Sequence, residues 1–237
     1  MGIIFKPGRK FFCTKTYWPE DYKPVASFDL ATEPSVEMPQ RFAKSPLKLT
    51  LSAMSNHPPP PQLPPPVTLH SSTFLNLIRE GHWEYVERVG ATGAALILAL
   101  TAEDKVLLVE QYRIPVHAFT LELPAGIIGD ESGHEDESHA SAANRELMEE
   151  TGYSAEHMTP LCTGAACSGI TTERVTLFQA TGLRRVGTGG GVGSENILVH
   201  EVPVKSINAW LKKRSREGVL IDPKVYTGLY FLNHQED

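Results

Sequence analysis

Three glutamates within one helical turn, Glu146, Glu149 and Glu150, are the side chains best placed in this sequence to do chemistry. Glu146 and Glu150 are four residues apart, so on a helix they project from one face, with Glu149 beside them. Carboxylates this close repel one another, and a solvated charged face normally intersperses cations at i+4. Here Arg145 is the only Lys or Arg between Asn144 and His157. Neighbouring glutamates on a rigid helix also supply the oxygen ligands that hard divalent cations such as Mg²⁺ take, leaving positions for water and substrate phosphates. Spacing alone leaves a solvated face and a metal site as alternatives, and favours the metal.

The helix that presents them is expected to begin near Ser138, to bury Ala140, Ala143 and Leu147 on its other side, and to end at Gly152. Ahead of it, residues 93–101 are nearly all apolar and read as a buried strand, followed by a second at 105–112. Residues 74–78 and 82–89 bracket Glu80 and Gly81, a turn signal, and form an antiparallel pair. After the helix, 158–162 and 174–180 read as strands. Gly187 to Ser194, G-T-G-G-G-V-G-S, lacks the spacing and context of a dinucleotide loop and reads as a mobile loop able to close over substrate. Pro203 opens a helical segment with Ile207, Trp210 and Leu211 at core spacing. Its cations Lys212, Lys213, Arg214 and Arg216 suit the helix dipole and are expected in solvent. Asp222 followed by Pro223 has the form of an N-cap and a first helical position, opening a last helix through Val225, Leu229 and Leu232.

Arg145 to Tyr153, R-E-L-M-E-E-T-G-Y, matches the second half of the Nudix box, R-E-U-x-E-E-x-G-U with U aliphatic or aromatic, at every fixed position. Glu137 precedes Arg145 by the seven residues that the pattern requires. Ten residues rather than five separate Gly126 from Glu137, and the surplus, glycine-rich and acidic, reads as a loop insertion before the helix. The chain therefore resembles the Nudix hydrolases. Q-Y-R at 111–113 and E-L-P-A-G at 122–126 are similar to the ADP-ribose pyrophosphatase branch in particular.

The resemblance implies an α/β/α sandwich with a mixed curved sheet from residue 92 to the end. It also implies Mg²⁺-dependent hydrolysis of ADP-ribose or a related nucleoside diphosphate sugar to AMP and ribose 5-phosphate, with Mn²⁺ as a substitute metal. By the same resemblance Glu146, Glu150 and the Ala125 carbonyl hold the metals, and Arg145 pairs with Glu149 or Glu137 to fix the ligands. Arg113 and Glu122 belong to the substrate site, Glu173 lies near the metals or the substrate, and Glu195 takes the proton from the attacking water. The hairpin before residue 92 resembles a dimerisation arm reaching towards a partner's site, which makes a homodimer the expected assembly. Trp83 on that arm is a candidate to stack on a purine, an aromatic in a paired strand being otherwise a packing residue. GDP-mannose or another nucleotide sugar is an alternative substrate, since no motif encodes the choice of base, and a degenerate Nudix module that binds without cleaving is the non-enzymatic alternative.

Composition narrows the field further. A formal charge of -6 argues against a nucleic-acid surface, which needs clustered cations. No apolar run approaches the roughly 18 residues of a membrane span. Three cysteines, Cys13, Cys162 and Cys167, make neither a disulfide framework nor a zinc motif and are expected as packing thiols in a reducing, cytoplasmic compartment. Residues 1–66 hold 13 of the 18 prolines and form a proline-rich extension, followed by the antiparallel element at 67–91. The tract at 58–66 favours polyproline II, as a stiff spacer or as a ligand for an SH3 or WW domain. Met54 offers a second start, and early cations at Lys6, Arg9, Lys10 and Lys15 admit an organelle-targeting role.

Overall fold

Strand β4 (Gly93–Ala99) is apolar on both faces because helices cover both. Ala95, Ile97 and Ala99 pack against Ala142, Ala143 and Leu147 of helix α1 (His139–Thr151). The alternate residues Leu96 and Leu98 pack against Ile207 and Leu211 of α2 (Ile207–Arg216) and Val225 and Leu229 of α3 (Pro223–Asn233). The period of two along a strand thus sorts one run of small and branched residues into two cores, the arrangement of an α/β/α sandwich. The computed structural model of the protein describes residues 60–129, 137–193 and 195–234. The extension to residue 59, with Cys13 and Met54, and most of the acidic insertion, 130–136, lie outside the described residues.

The sheet layer is two four-stranded mixed sheets rather than one. The first has the order β7 (Ala125–Ile128), β4, β10 (Arg174–Thr181), β9 (His157–Ala165), with β4 and β10 parallel and the outer pairs antiparallel. The second runs β12 (Leu198–Pro203), β5 (Lys105–Arg113), β6 (Ala118–Glu122), β13 (Leu220–Ile221). A bridge between Leu100 and Val106 links β4 to β5. A short pair, β8 (Tyr153–Ser154) with β11 (Arg184–Arg185), follows α1.

The element ahead of β4 has three strands, not two: β1 (Val67–Ser71), β2 (Leu75–Glu80) and β3 (Trp83–Arg88), all antiparallel. Gly81, at φ +60°, makes the β2–β3 turn, where a left-handed backbone suits glycine. The Val86 amide donates to Ile170 O at 2.8 Å and the Thr172 amide to Val86 O at 3.2 Å, joining β3 to the loop before β10. That join brings Arg88 to the central body.

Three expectations are corrected. Pro203 is the last residue of β12, whose pairing with Lys105 extends the strand, and α2 starts only at Ile207. Arg214 is not in solvent: it reaches Glu110, which is 7% exposed, at 2.6 Å, and His200 joins the same carboxylate at 2.8 Å. Cys162 and Cys167 are exposed rather than packed. Among the described residues no helix is long and apolar enough to cross a membrane.

Candidate active site

Helix α1 starts and stops where its side chains dictate. The Ser138 hydroxyl accepts from the Ser141 amide at 3.1 Å as N-cap, and Gly152, at φ +76°, closes the last turn. With Ala142, Ala143 and Leu147 buried, helical geometry turns Glu146 and Glu150 towards β7. Gly126 on β7 leaves the space that Glu146 occupies: a Cβ there would lie 1.9 Å from Cδ and 2.3 Å from Oε1 of Glu146.

Arg145 offsets the charge of the acidic turn. Its Nη1 donates to Glu146 Oε1 at 3.0 Å and to Glu149 Oε2 at 3.3 Å, and its Nε to Glu137 Oε2 at 3.5 Å. It therefore pairs with both expected partners and with Glu146 as well. Glu150 lies deeper, 5% exposed, and its Oε2 accepts from the Ala125 amide at 3.0 Å. Burial pushes its carboxyl up to about 8; the Ala125 hydrogen bond opposes the shift, Glu146 and Glu195 reinforce it, and Arg113 opposes it.

These residues line one cleft of about 390 Å³, within the size range of small-molecule sites. Of the sequence-derived site residues, Ala125, Glu146, Glu149, Glu150, Arg113, Glu173 and Glu195 all line it. Glu122 stands behind Arg113, whose Nε donates to both its carboxylate oxygens at 3.1 and 3.0 Å while Nη2 bonds the second. Arg145 acts from behind the acidic turn. Trp83 is not brought to this cleft; it lines a separate groove with Leu63 of the proline tract, Tyr85 and Thr171.

Arg88, missed in the sequence, lines the cleft from the end of β3 and pairs with Glu173 at 2.9 Å. Its only advance signal was a cation closing a strand just before Gly90. Gln111 also lines the cleft, two residues before Arg113, since alternate residues of β5 face the same way. Tyr112 between them is exposed and sits edge-on to Phe119.

Five glutamates (146, 149, 150, 173, 195) thus face two arginines (88, 113) around one opening. Among the described residues no three acidic, His or Cys side chains form a ready metal cage. Oxygen donors are nonetheless concentrated where α1 meets β7, and the space opposite Gly126 is kept for a carboxylate, which fits hard cations held by two side chains, backbone oxygen and water.

Residues 91–187 match the model of the NUDIX domain. A methanol dehydrogenase activator of Bacillus methanolicus is 32% identical, the match covering 63% of this chain and 77% of that one. An ADP-ribose pyrophosphatase of Bacillus subtilis is 39% identical over 40% of this chain, which spans about half (48%) of that relative. A GDP-mannose pyrophosphatase of Pectobacterium atrosepticum is 32% identical, with 54% of this chain and 68% of that one covered. The crystal structure of an ADP compounds hydrolase superposes with a TM-score of 0.58 at 19% identity, covering 76% of this chain and 95% of the other, a likeness of fold. The fold, the acidic turn on α1 and these matches agree: the chain belongs to the Nudix hydrolase family.

Proposed function

We propose that the chain hydrolyses the pyrophosphate bond of ADP-ribose or a closely related nucleoside diphosphate sugar, with Mg²⁺, to AMP and the sugar phosphate. The observation that carries this reading is the convergence of Glu146, Glu150, Arg113, Arg88 and Glu195 on one cleft. A cleft so rich in carboxylate repels a diphosphate unless cations intervene.

Glu146, Glu150 and the Ala125 carbonyl would hold the metal, with Mn²⁺ able to replace Mg²⁺. When bound, the metal neutralises phosphate charge and acidifies water. Arg145 keeps the Glu146 and Glu149 rotamers in place by bonding both. Arg113, oriented by Glu122, presents its planar fork to one phosphate, and Arg88 leaves Glu173 for the other. Glu195 accepts the proton as a water oxygen bonds to phosphorus and the bridging P–O bond breaks, its electron pair leaving with the departing phosphate. A purine contact by Trp83 belongs to the homodimer reading, in which it would serve the partner's cleft.

GDP-mannose is the second reading, because the relative acting on it is covered over more of its length than the ADP-ribose pyrophosphatase. The test is incubation with Mg²⁺ and ADP-ribose, GDP-mannose or a UDP-sugar, followed by chromatography for nucleoside monophosphates. AMP from ADP-ribose supports the first reading and GMP from GDP-mannose the second. Binding without any product contradicts both and supports a nucleotide-binding module.

A further inference from the structure

The last carbonyls of a helix find no partner within it, and α1 ends at its acidic turn, so that turn needs a cap. The glycine-rich stretch supplies one. The amides of Val186 and Gly187 donate to Gly152 O at 2.8 and 3.0 Å, Gly190 to Glu150 O at 2.8 Å, and Gly191 to Glu149 O at 3.0 Å. The approach is close: a Cβ on Gly189 would fall 2.4 Å from the carbonyl carbon of Thr151 and 2.8 Å from Glu150 O. From this anchor the chain turns back on itself. The Ile197 amide donates to Gly190 O at 3.2 Å, the Glu195 amide to Val192 O at 3.1 Å, and the Val192 amide to Oε2 of Glu195 at 2.9 Å.

We propose that residues 187–191 form a clamp that positions Glu195 against the helical turn carrying Glu149 and Glu150, rather than a lid. The proposal rests on the reading of Glu195 as proton acceptor. Glycine is required at 189 for close approach to the helix backbone, and the stretch from Val186 to Gly191 spends its backbone freedom on four hydrogen bonds to α1 and Gly152. Gly189 and Gly190 are positioning residues: they set where the Glu195 carboxylate stands relative to the metal-holding face, so a nucleotide meets an acceptor already in place.

The experiment compares Gly189→Ala, Glu195→Gln, their double variant and Gly193→Ala in the full chain. It uses Mg²⁺ and whichever of ADP-ribose and GDP-mannose the wild type cleaves faster. Gly193 shares the left-handed φ (+60° against +67° for Gly189) but has nothing within 4 Å of its Cβ position, so it reports backbone strain alone. Gly189→Ala is expected to lower kcat about 100-fold while KM stays within about threefold. Gly193→Ala keeps near-wild-type kcat, and the double variant is no slower than Glu195→Gln, because both changes act through one carboxylate.

Unchanged kcat in Gly189→Ala beside an impaired Glu195→Gln overturns the clamp, as does full multiplication of the two losses in the double variant. Wild-type turnover by Glu195→Gln instead overturns the assignment of the acceptor, and the clamp with it. Should Gly189→Ala fail to fold, Gly191→Ala replaces it: its Cβ meets Oε2 of Glu195 at 2.5 Å rather than the helix backbone, and the same loss of kcat is expected. Wild-type kcat there overturns the clamp.

Discussion

The Ala125 amide donates a 3.0 Å hydrogen bond to Oε2 of Glu150, tying the first residue of β7 to the last turn of α1. The bond holds a carboxylate in a place where burial opposes its charge. That opposition has a measurable consequence for stability.

Burial lifts the Glu150 carboxyl from its ordinary 4.5 to about 8, so between these values the folded chain keeps a proton that the unfolded chain releases. A raised carboxylate therefore costs stability as pH climbs through this window. Without metal, Glu150→Gln should melt higher than the wild type at pH 8, and the gap should close towards pH 5. Parallel melting curves at both pH values contradict the burial of a charge at this position.

Glu110 behaves in the opposite sense. Burial raises its pKa, but hydrogen bonds and charges from Arg214 and His200 outweigh burial and hold it below the usual carboxylate range. Its contribution to stability is present above the ordinary value and is lost as pH falls through the lowered one. Arg214→Met leaves a largely buried carboxylate with His200 alone and should cost about 3 kcal/mol in urea unfolding near pH 7. A loss below about 1 kcal/mol would show the pair to be dispensable.

Gly126→Ala places a methyl 1.9 Å from Cδ of Glu146, so the carboxylate must move while the core beneath stays intact. We expect the Mg²⁺ concentration for half-maximal rate to rise and kcat to fall about 100-fold with little change in melting temperature. Unaltered metal dependence would remove Glu146 from the ligand set.

Much of the cleft was legible in the sequence because its parts are local. Ser138 and Gly152 bound a helix, and i, i+4 spacing puts Glu146 and Glu150 on one face whatever surrounds them. Arg88 was not legible, since it reaches the cleft only through the pairing of Val86 with the 170–172 loop. Nor was Arg214, whose partner Glu110 is 104 residues away. The glycine-rich stretch is ambiguous in the sequence for a physical reason: backbone freedom and tolerance of close approach have one composition, and its hydrogen bonds to the carbonyls of Glu149 and Glu150 join residues about 40 positions apart.

Arg113 bears on substrate rather than metal. Arg113→Lys keeps the charge but loses the planar fork that Glu122 orients, and should raise KM for the nucleotide sugar about 10-fold or more with the metal requirement unchanged. An unchanged KM would take Arg113 out of phosphate binding.

The most direct measurement is the initial rate of AMP release from ADP-ribose at saturating Mg²⁺, wild type against Glu146→Gln, with equal melting temperatures as the control for folding. A metal held by Glu146 requires metal-dependent turnover by the wild type and a loss of about 100-fold or more in the variant. Equal rates in the two proteins would contradict it.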